Sequence, residues 1–307
     1  MIRDFMRIVG AELCRMSRHW LFVAMPLLAL AAVIVPLIRA YRVAVALHSG
    51  RWVSAPGEMP PPGLGASLDT LLYWFQWDRL PLAAAASLLA GIGIAIFVYV
   101  GAAWLEDDIA MGIIKQIGMA RRRYGPIVWA KVIALIIYVS TVFFVALIGA
   151  VTATLFCPGA PGQEVNRLFD VSIWRGITIS LGIVWFWTLF AAVITLVTQS
   201  GLIGVVCGSL WIVVEREVLK NAQSTWLLAL AKASPWSTSQ SLLAWIYDRF
   251  SWTGQHAEWV VWVTTPPYTR IMEGGTSTLY LLPVYHLLMV LGAYLVLEVA
   301  LVVSFYY

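Results

Sequence analysis

The sequence predicts an all-α integral membrane protein with six transmembrane helices. Hydrophobic residues make up 61% of the 307 positions and charged residues only 12%, against about 25% charged in ordinary soluble domains. The 16 Trp and 12 Tyr residues suit a protein with two membrane interfaces, where such side chains anchor. The predicted layout adds an amino-terminal interfacial helix, a cytosolic helix between spans two and three, and part-inserted outer helices before span six.

The chain is predicted to form a single transmembrane domain, residues 1–307. Its net charge of +4 is modest, so no nucleic-acid partner is predicted. Cys14, Cys157 and Cys207 are widely spaced and form no metal-like pair, and we interpret them as unpaired thiols. The first apolar run follows a long arginine-containing stretch, so we expect it to stay in the mature protein rather than act as a signal peptide.

The amino-terminal segment, residues 1–19, carries apolar side chains such as Phe5 and Val9 on one helical side and cations on the rest. Such a segment either lies flat in the headgroup layer or is a basic flank that only sets topology. The first span is predicted at residues 20–38, whose prolines a membrane helix tolerates. Residues 39–79 are predicted to form a loop, because their centre is rich in proline and glycine.

The second span is predicted at residues 80–105 and the third at residues 127–154. Both runs are long enough to cross a hydrocarbon core of about 30 Å. Lys131 lies near the start of the third run. Its long side chain is expected to snorkel back to the headgroups.

The stretch from 176 to 214 contains 39 residues without a charge. As one helix it would be about 58 Å long, nearly double the hydrocarbon core of about 30 Å. We therefore expect the chain to fold back at the polar cluster 198–201, which gives span four at residues 176–197 and span five at residues 201–216. Residues 215–220 either continue span five into the headgroups, or the segment stops part-way and re-enters.

The region 215–278 holds six tryptophans and two apolar stretches that are too short to span. We expect part-inserted helices here, covered by protein or lining a cavity. Glu215, Trp226 and Trp236 are candidates for an outer gate or substrate contact. The alternatives are a simple helix end for the glutamate and interfacial anchoring for the tryptophans. The sixth span is predicted at residues 281–303.

The distribution of cations orients the six spans. With the amino terminus inside, the inner segments are residues 1–19, residues 105–131, the 198–201 turn and the carboxyl end. They hold nine of the twenty Lys and Arg residues in roughly 55 positions, a density that favours this orientation because long translocated loops count for little. Both termini are therefore predicted to be cytosolic.

The segment 106–131 is a charged interruption between two apolar runs. Isoleucines recur in it at helical spacing, with Lys115 and Gly112 on the opposite face, which predicts an amphipathic helix about 14 Å long. Carboxylates precede the stripe, where the positive end of a helix dipole favours them. The isoleucines are Ile109, Ile113, Ile114 and Ile117, the carboxylates are Glu106, Asp107 and Asp108, and the cations that follow are Arg121, Arg122 and Arg123.

This segment resembles the cytosolic segment between spans two and three of ABC-2 type transporter permeases, in the branch that serves antibiotic-peptide immunity and drug efflux. That branch carries a Gly-Thr-Ile-Arg/Lys element followed by Gly-x-Ser-Arg. The matching residues are Gly112, Ile113, Ile114, Lys115, Gly118, Met119, Ala120, Arg121, Tyr124 and Lys131. Two departures are Gly112, which is not followed by the usual Thr, and Ala120, which replaces the usual Ser.

The resemblance implies the membrane subunit of an ABC exporter for an amphipathic peptide, drug or lipid-like substrate in a prokaryotic cytoplasmic membrane. It implies a separate ABC-type ATPase subunit that binds ATP and Mg, a second permease subunit, identical or related, and no cofactor on this chain. The residues implied to couple to the ATPase are Glu106, Asp107, Asp108, Gly112, Ile113, Lys115, Arg121, Arg122 and Arg123. The alternative is a basic loop that only sets topology, which has no need of the isoleucine stripe.

The sequence contains no G-x-x-x-x-G-K-[ST] phosphate loop, so ATP hydrolysis is expected on a partner and not on this chain. A membrane-embedded enzyme would need polar groups converging at one depth, and no single span carries paired carboxylates or a His-rich motif. A sensor or anchor that binds an ATPase without transport is a third possibility. Glu298, in the last span, either faces a partner or a wet cavity or anchors near the inner headgroups. No metal site is predicted.

Overall fold

A computed structural model gives the fold, and it is almost entirely helical. It describes residues 2–49, 80–89, 92–110, 112, 125–154, 171–220, 234–236, 238–239, 242, 272–273, 276–277 and 284–306.

Eight helices and one short pair of strands are described. The helices are α1 (Ile2–Arg18), α2 (Trp20–His48), α3 (Leu80–Leu89), α4 (Ile92–Ala110), α5 (Gly125–Thr154), α6 (Val171–Thr198), α7 (Gly201–Lys220) and α8 (Val284–Tyr306). The strands β1 (Met272–Glu273) and β2 (Thr276–Ser277) pair antiparallel. A helical turn around Trp236 is also described, in which the backbone nitrogen of Thr238 donates to the carbonyl oxygen of Ser234.

Two described helices are long and apolar enough to cross a membrane, Pro126–Ala153 and Ile173–Thr198. The number rises to four if each of two bent helix pairs is one span. The first pair joins α1 and α2 at 71°, and the second joins α3 and α4 at 59°. The apolar segments Gly201–Glu215 and Leu288–Ser304 are shorter. The chain therefore carries two to four candidate membrane spans among its described residues.

The surface of the helices supports a membrane environment. Large apolar side chains are exposed on α2, α5, α6, α7 and α8, where water would contact them in a soluble protein. Contiguous apolar surface of this kind is typical of a lipid-facing or partner-facing protein. Exposed tryptophans lie near the starts of α2, α5 and α6, at Trp20, Trp129 and Trp174. Such positions suit interfacial anchoring.

A loop was predicted to begin at residue 39, after the first span at residues 20–38, and the structure corrects the start of this loop. α2 continues to His48 with Pro26 and Pro36 inside it. Its 29 residues give a length of about 43 Å, more than the hydrocarbon core requires. The sequence prediction stopped at Arg39 because a cation is unfavourable in lipid. A cation does not, however, end a helix that has already left the lipid.

The central packing unit consists of α4, α6 and α7. α6 and α7 form an antiparallel hairpin, because Gly204 lies against Thr195 and Gly208 lies 3.8 Å from Ala191, measured from a Cβ position built on the glycine. α7 also runs antiparallel to α4, with Gly204 near Ala102. The chain reverses at residues 199–200, where Gln199 has a φ of 53°. This is the polar cluster at which the sequence predicted a turn.

α8 runs parallel to α6. Leu291 lies 3.7 Å from the Cβ position of Gly182, and the rings of Tyr294 and Phe186 are 5.5 Å apart, so both helices advance in the same direction. The carboxyl ends of α4, α6 and α8, together with the start of α5, therefore lie at one end of the bundle. We call this end the network end, after the ion network described below.

Candidate functional site

Four charged side chains from three helices contact one another at the network end. We call these four side chains the ion network. Glu12 and Arg15 come from α1, Asp108 from α4 and Lys131 from α5. Arg15 Nη1 donates to Asp108 Oδ1 at 2.7 Å, and Lys131 Nζ donates to Asp108 Oδ2 at 2.9 Å. Lys131 Nζ also lies 2.6 Å from Glu12 Oε1, and Arg15 Nε lies 2.9 Å from Glu12 Oε2. Each cation therefore touches both carboxylates.

The ion network is neutral as a whole and largely buried. Its two cations balance its two carboxylates. The side chain of Asp108 is 0% exposed and that of Lys131 is 4% exposed. Arg15, at 33%, is the member that reaches solvent. Deleting one member of a buried ion pair leaves an uncompensated charge and costs about 3–5 kcal/mol. The network therefore fixes the three helices strongly relative to one another.

Local sequence positions these side chains. Glu12 and Arg15 are three residues apart, so they share one face of α1 and form an ion pair within the helix. The apolar side of α1 includes Val9, which is buried against Ala130 and Ala134 of α5. That contact brings the charged face of α1 over Lys131, at the start of α5. The interfacial helix predicted at the amino terminus is thus a helix that also packs on the bundle.

Two predictions for this region are wrong. Lys131 was expected to snorkel to the headgroups. Instead it is buried, because its ammonium group pairs with the carboxylates of Asp108 and Glu12. An uninterrupted helix was expected from Glu106 through the isoleucine stripe. Instead α4 runs through Asp108 and ends at Ala110, and Gly112 follows in a turn with a φ of 66°. Its backbone nitrogen donates to the carbonyl oxygen of Ile109 at 3.0 Å, a helix ending that glycine favours.

Of the other predicted coupling residues, two lie in α4 and the rest lie outside the described residues. Glu106 is exposed near the α6–α7 turn, where its carboxyl carbon lies 2.7 Å from the Cβ position of Gly201. Asp107 is helical within α4. The remaining ones lie outside the described residues, namely Ile113, Lys115, Arg121, Arg122 and Arg123. The proposed coupling segment is therefore described only at its two ends, and those ends meet in the ion network.

A second polar site lies deeper, between α6, α7 and α8. Glu298 of α8 is only 4% exposed, and among the described residues neither of its carboxylate oxygens has a hydrogen-bond partner. From the pairing of α8 with α6, Glu298 lies level with Phe190, about 12 Å from the end of α6. It lies inside the bundle, eight residues before the end of α8.

Glu215 belongs to the same site. The gate prediction put Glu215 in an outer loop, but it is buried within α7, which continues to Lys220. This outcome matches the alternative in which the helix extends through residues 215–220. Trp211 Nε1 donates to Glu215 Oε2 at 2.8 Å. Tyr294 lies within electrostatic reach of both Glu215 and Glu298, so two carboxylates from different helices converge on one tyrosine.

A row of aromatic side chains connects the two carboxylates. Tyr294 contacts Phe186 at 5.5 Å between ring centroids, Phe186 stacks on Phe190 at 5.8 Å, and Phe190 meets Trp211 edge-on at 5.9 Å. These spacings lie within the range for favourable aromatic pairs. Because Trp211 in turn binds Glu215, the row runs from α8 across α6 to α7.

Trp236 was predicted to be a gate or substrate contact, with interfacial anchoring as the alternative, and the structure places it inside the bundle. Its side chain is 7% exposed, and its ring meets that of Trp187 at 6.2 Å. The helical turn that carries it is thus packed into the core beside α6. Trp226, the other tryptophan of the predicted gate, lies outside the described residues.

Reasoning from sequence missed the ion network and the convergence on Tyr294. Both depend on which helices become neighbours, and no local pattern encodes that. Two signals were present nonetheless. Lys131 is a lone cation inside an apolar run, and Glu12 with Arg15 has the spacing of a helical ion pair. Among the described residues, no group of three His, Cys, Asp or Glu side chains could hold a metal ion.

Comparisons with protein-family models, with curated proteins and with solved structures gave no match.

Proposed function

We propose that the chain is the transmembrane subunit of an ATP-binding cassette exporter of the ABC-2 type. In this proposal it crosses a prokaryotic cytoplasmic membrane six times with both termini in the cytosol. A separate ATPase subunit hydrolyses ATP, and a second permease subunit completes the pathway. The chain itself has no catalytic role.

The observation that carries the proposal is the ion network. The segment 106–131 resembles the element on which an ATPase docks in such permeases. Its first part contains Asp108 and its last residue is Lys131, and these two side chains are bound to each other and to α1. A segment that only set topology would need no buried ionic connection between its two ends.

The arrangement suggests how force would be transmitted. A push on residues 113–124 would reach α4 and α5 together, because the ion network prevents their ends from separating. Through Glu12 and Arg15 it would also reach α1, whose angle to α2 is 71°. Movement of α4 would then reach α6 directly, because the two backbones pack closely. Their separation is so small that a Cβ on Gly101 would collide with the backbone carbonyl of Thr188. ATPase closure would in this way shift α1, α4, α5 and α6 as one unit.

The gathering of chain segments supports the proposed orientation. Residues 1–19, the ends of the 106–131 segment, the 198–201 turn and the end of α8 were assigned to the cytosol from the distribution of cations. The contacts of the described helices bring all four to the network end. With that end in the cytosol, the chain crosses six times if α3 and α4 together count as one crossing and α7 and α8 count as one crossing each.

Purification with an affinity tag tests the proposal. The tagged chain, extracted from its native membrane in mild detergent or in native nanodiscs, is expected to bring with it an ATP-binding subunit whose hydrolysis is stimulated by substrate. Replacing Arg121, Arg122 and Arg123 with Glu should weaken that association, and a salt titration should show the loss of its ionic part. Absence of any ATP-binding subunit from both preparations would overturn the proposal and favour the enzyme alternative.

Vesicle transport separates an exporter from a sensor that merely binds an ATPase. Reconstituted complex should move substrate across the bilayer only with hydrolysable ATP. An ATPase that co-purifies but drives no transport of any amphipathic substrate would leave the sensor or anchor function in its place.

A further inference from the structure

α7 and α8 both pack on α6, and the described helix contacts include no extensive pairing of α7 with α8. We call the strip of α6 between them, with the side chains beside it, the groove. Phe186 and Phe190 of α6 lie at its base, with Trp211 of α7 and Tyr294 of α8 on its sides. Trp211 is 48% exposed, so the α7 side of the groove lies at the surface of the bundle. The flanking surface is apolar, with Val206, Leu210, Val296 and Leu297 exposed.

The groove contains a buried carboxyl group for which the described residues provide no hydrogen-bond partner. Glu298 is buried with both carboxylate oxygens unpartnered. An ionised carboxylate in such surroundings is unfavourable unless it is paired, so the empty site tolerates Glu298 only in its protonated form. A bound cation would replace that proton, which leaves to water, and would supply the missing partner.

The aromatic row selects the kind of cation. Faces of Trp, Tyr and Phe attract cations through the ring quadrupole, more strongly when the site is desolvated. A bare metal ion would instead need several oxygen ligands, and the described residues offer no group of three His, Cys, Asp or Glu side chains. The apolar mouth of the groove also favours a ligand that arrives from the lipid phase.

We propose that the groove between α7 and α8 binds a lipophilic organic cation, with Glu298 as its counter-charge and the rings of Tyr294, Phe190 and Trp211 around it. This inference deepens the proposed function by naming a substrate class, and its meaning as a transport site rests on that function. Binding itself requires only this chain.

Equilibrium binding to the purified chain in nanodiscs provides the test. The probe is radiolabelled tetraphenylphosphonium, and the matched control ligand is tetraphenylborate, which has nearly the same size and shape and the opposite charge. Empty nanodiscs measure partition into lipid. We expect saturable binding of the phosphonium alone, weakened by about tenfold or more in Glu298→Gln, because the variant lacks the desolvated counter-charge.

Further variants separate the charge from the aromatic contribution. Tyr294→Phe keeps the ring and should bind nearly as the parent does, whereas Tyr294→Leu should weaken binding. Leu27→Met makes a similar change on the exposed side of α2, away from the groove, and should leave binding unchanged. Gel filtration confirms that each variant retains its folded size.

The outcomes also distinguish this inference from the proposed function. Equal binding of phosphonium and borate, or full binding in Glu298→Gln, would overturn the cation site, whether or not an ATPase co-purifies. Binding that depends on Glu298 in a chain with no ATPase partner would uphold the cation site and overturn the exporter.

Discussion

Asp108 and Glu298 are two acidic side chains that are almost equally buried, and the structure treats them in opposite ways. Asp108, at 0% exposure, receives a hydrogen bond from Arg15 and another from Lys131. Glu298, at 4%, receives none from the described residues. A buried carboxylate with two protein cations holds helices together. One without a protein partner is free to take a partner from outside.

The comparison extends to the surroundings of each carboxylate. Asp108 lies near a helix end, where α1, α4 and α5 meet and the two cations of the ion network balance its two carboxylates. Glu298 lies inside a helix, beside aromatic rings and a groove with an apolar rim. In the two proposals above, the first region transmits force and the second recognises ligand. The same chemical change, from carboxylate to amide, should then have different consequences at the two positions.

The largest effect is expected for Asp108→Asn. Within the ion network the amide leaves the two cations Arg15 and Lys131 with one carboxylate, that of Glu12, so the free energy of unfolding should fall by about 3 kcal/mol. Denaturation in mixed micelles of dodecyl sulfate and dodecyl maltoside, followed by tryptophan fluorescence, measures the change. The double variant Asp108→Asn with Lys131→Gln removes one charge of each sign and should recover much of the loss. No recovery would mean that the network is not coupled as its geometry indicates.

The next largest loss of stability is expected at the contact between α4 and α6, which joins the two regions. Gly101→Ala places a methyl group against the backbone carbonyl of Thr188, so α4 and α6 must separate, at a cost of about 1–3 kcal/mol. The matched control is Gly292→Ala on α8, where a Cβ meets nothing within 4 Å. Equal unfolding free energies for the two variants would contradict the close approach of α4 to α6.

A smaller effect is expected at the end of α4. Gly112 has a φ of 66° and open space around its Cβ position, so Gly112→Ala should cost about 1 kcal/mol through backbone strain alone. Gly112→Asn should cost less, because asparagine tolerates this conformation. Gly10→Ala is the control, since it too meets open space but lies in a helix that alanine favours. A stability gain in Gly112→Ala would exclude the left-handed turn.

The smallest effect on stability is expected for Glu298→Gln, which completes the comparison. An amide cannot ionise, and no hydrogen bond to a described residue is lost, so the unfolding free energy should change by less than about 1 kcal/mol. The same micelle titration checks this result. A loss as large as that of Asp108→Asn would show that Glu298 also has a structural partner, and the contrast between the two regions would be removed.

Much of the fold follows from local sequence because membrane helices are specified by apolar runs. The helical amino terminus and the turn at residues 198–201 were both predicted, the latter because an uncharged run of 39 residues is too long for one crossing. Arg39 misled the prediction for α2, since a cation marks the edge of the lipid and not the end of a helix.

The sites were less predictable because they are tertiary. Glu298 was identified from its cost in lipid, and that reasoning needed no neighbours. The convergence of Glu215 with Glu298 depends on the placement of α7 and α8 around α6. The pairing of Lys131 with Glu12 depends on α5 packing against α1, which precedes it by more than a hundred residues. Interfacial charge patterns alone suggest a headgroup contact for such a lysine, and the two carboxylates change that outcome.

The ion network also constrains the order in which the protein can be assembled. Its members are spread from residue 12 to residue 131, so a nascent chain that has delivered α1 to α4 still lacks the lysine that balances Asp108. Until α5 emerges, that carboxylate has Arg15 as a counter-ion but lacks Lys131. The early helices therefore cannot complete their final association one at a time during synthesis. The ion network of the amino-terminal half can form in full only after Lys131 has emerged.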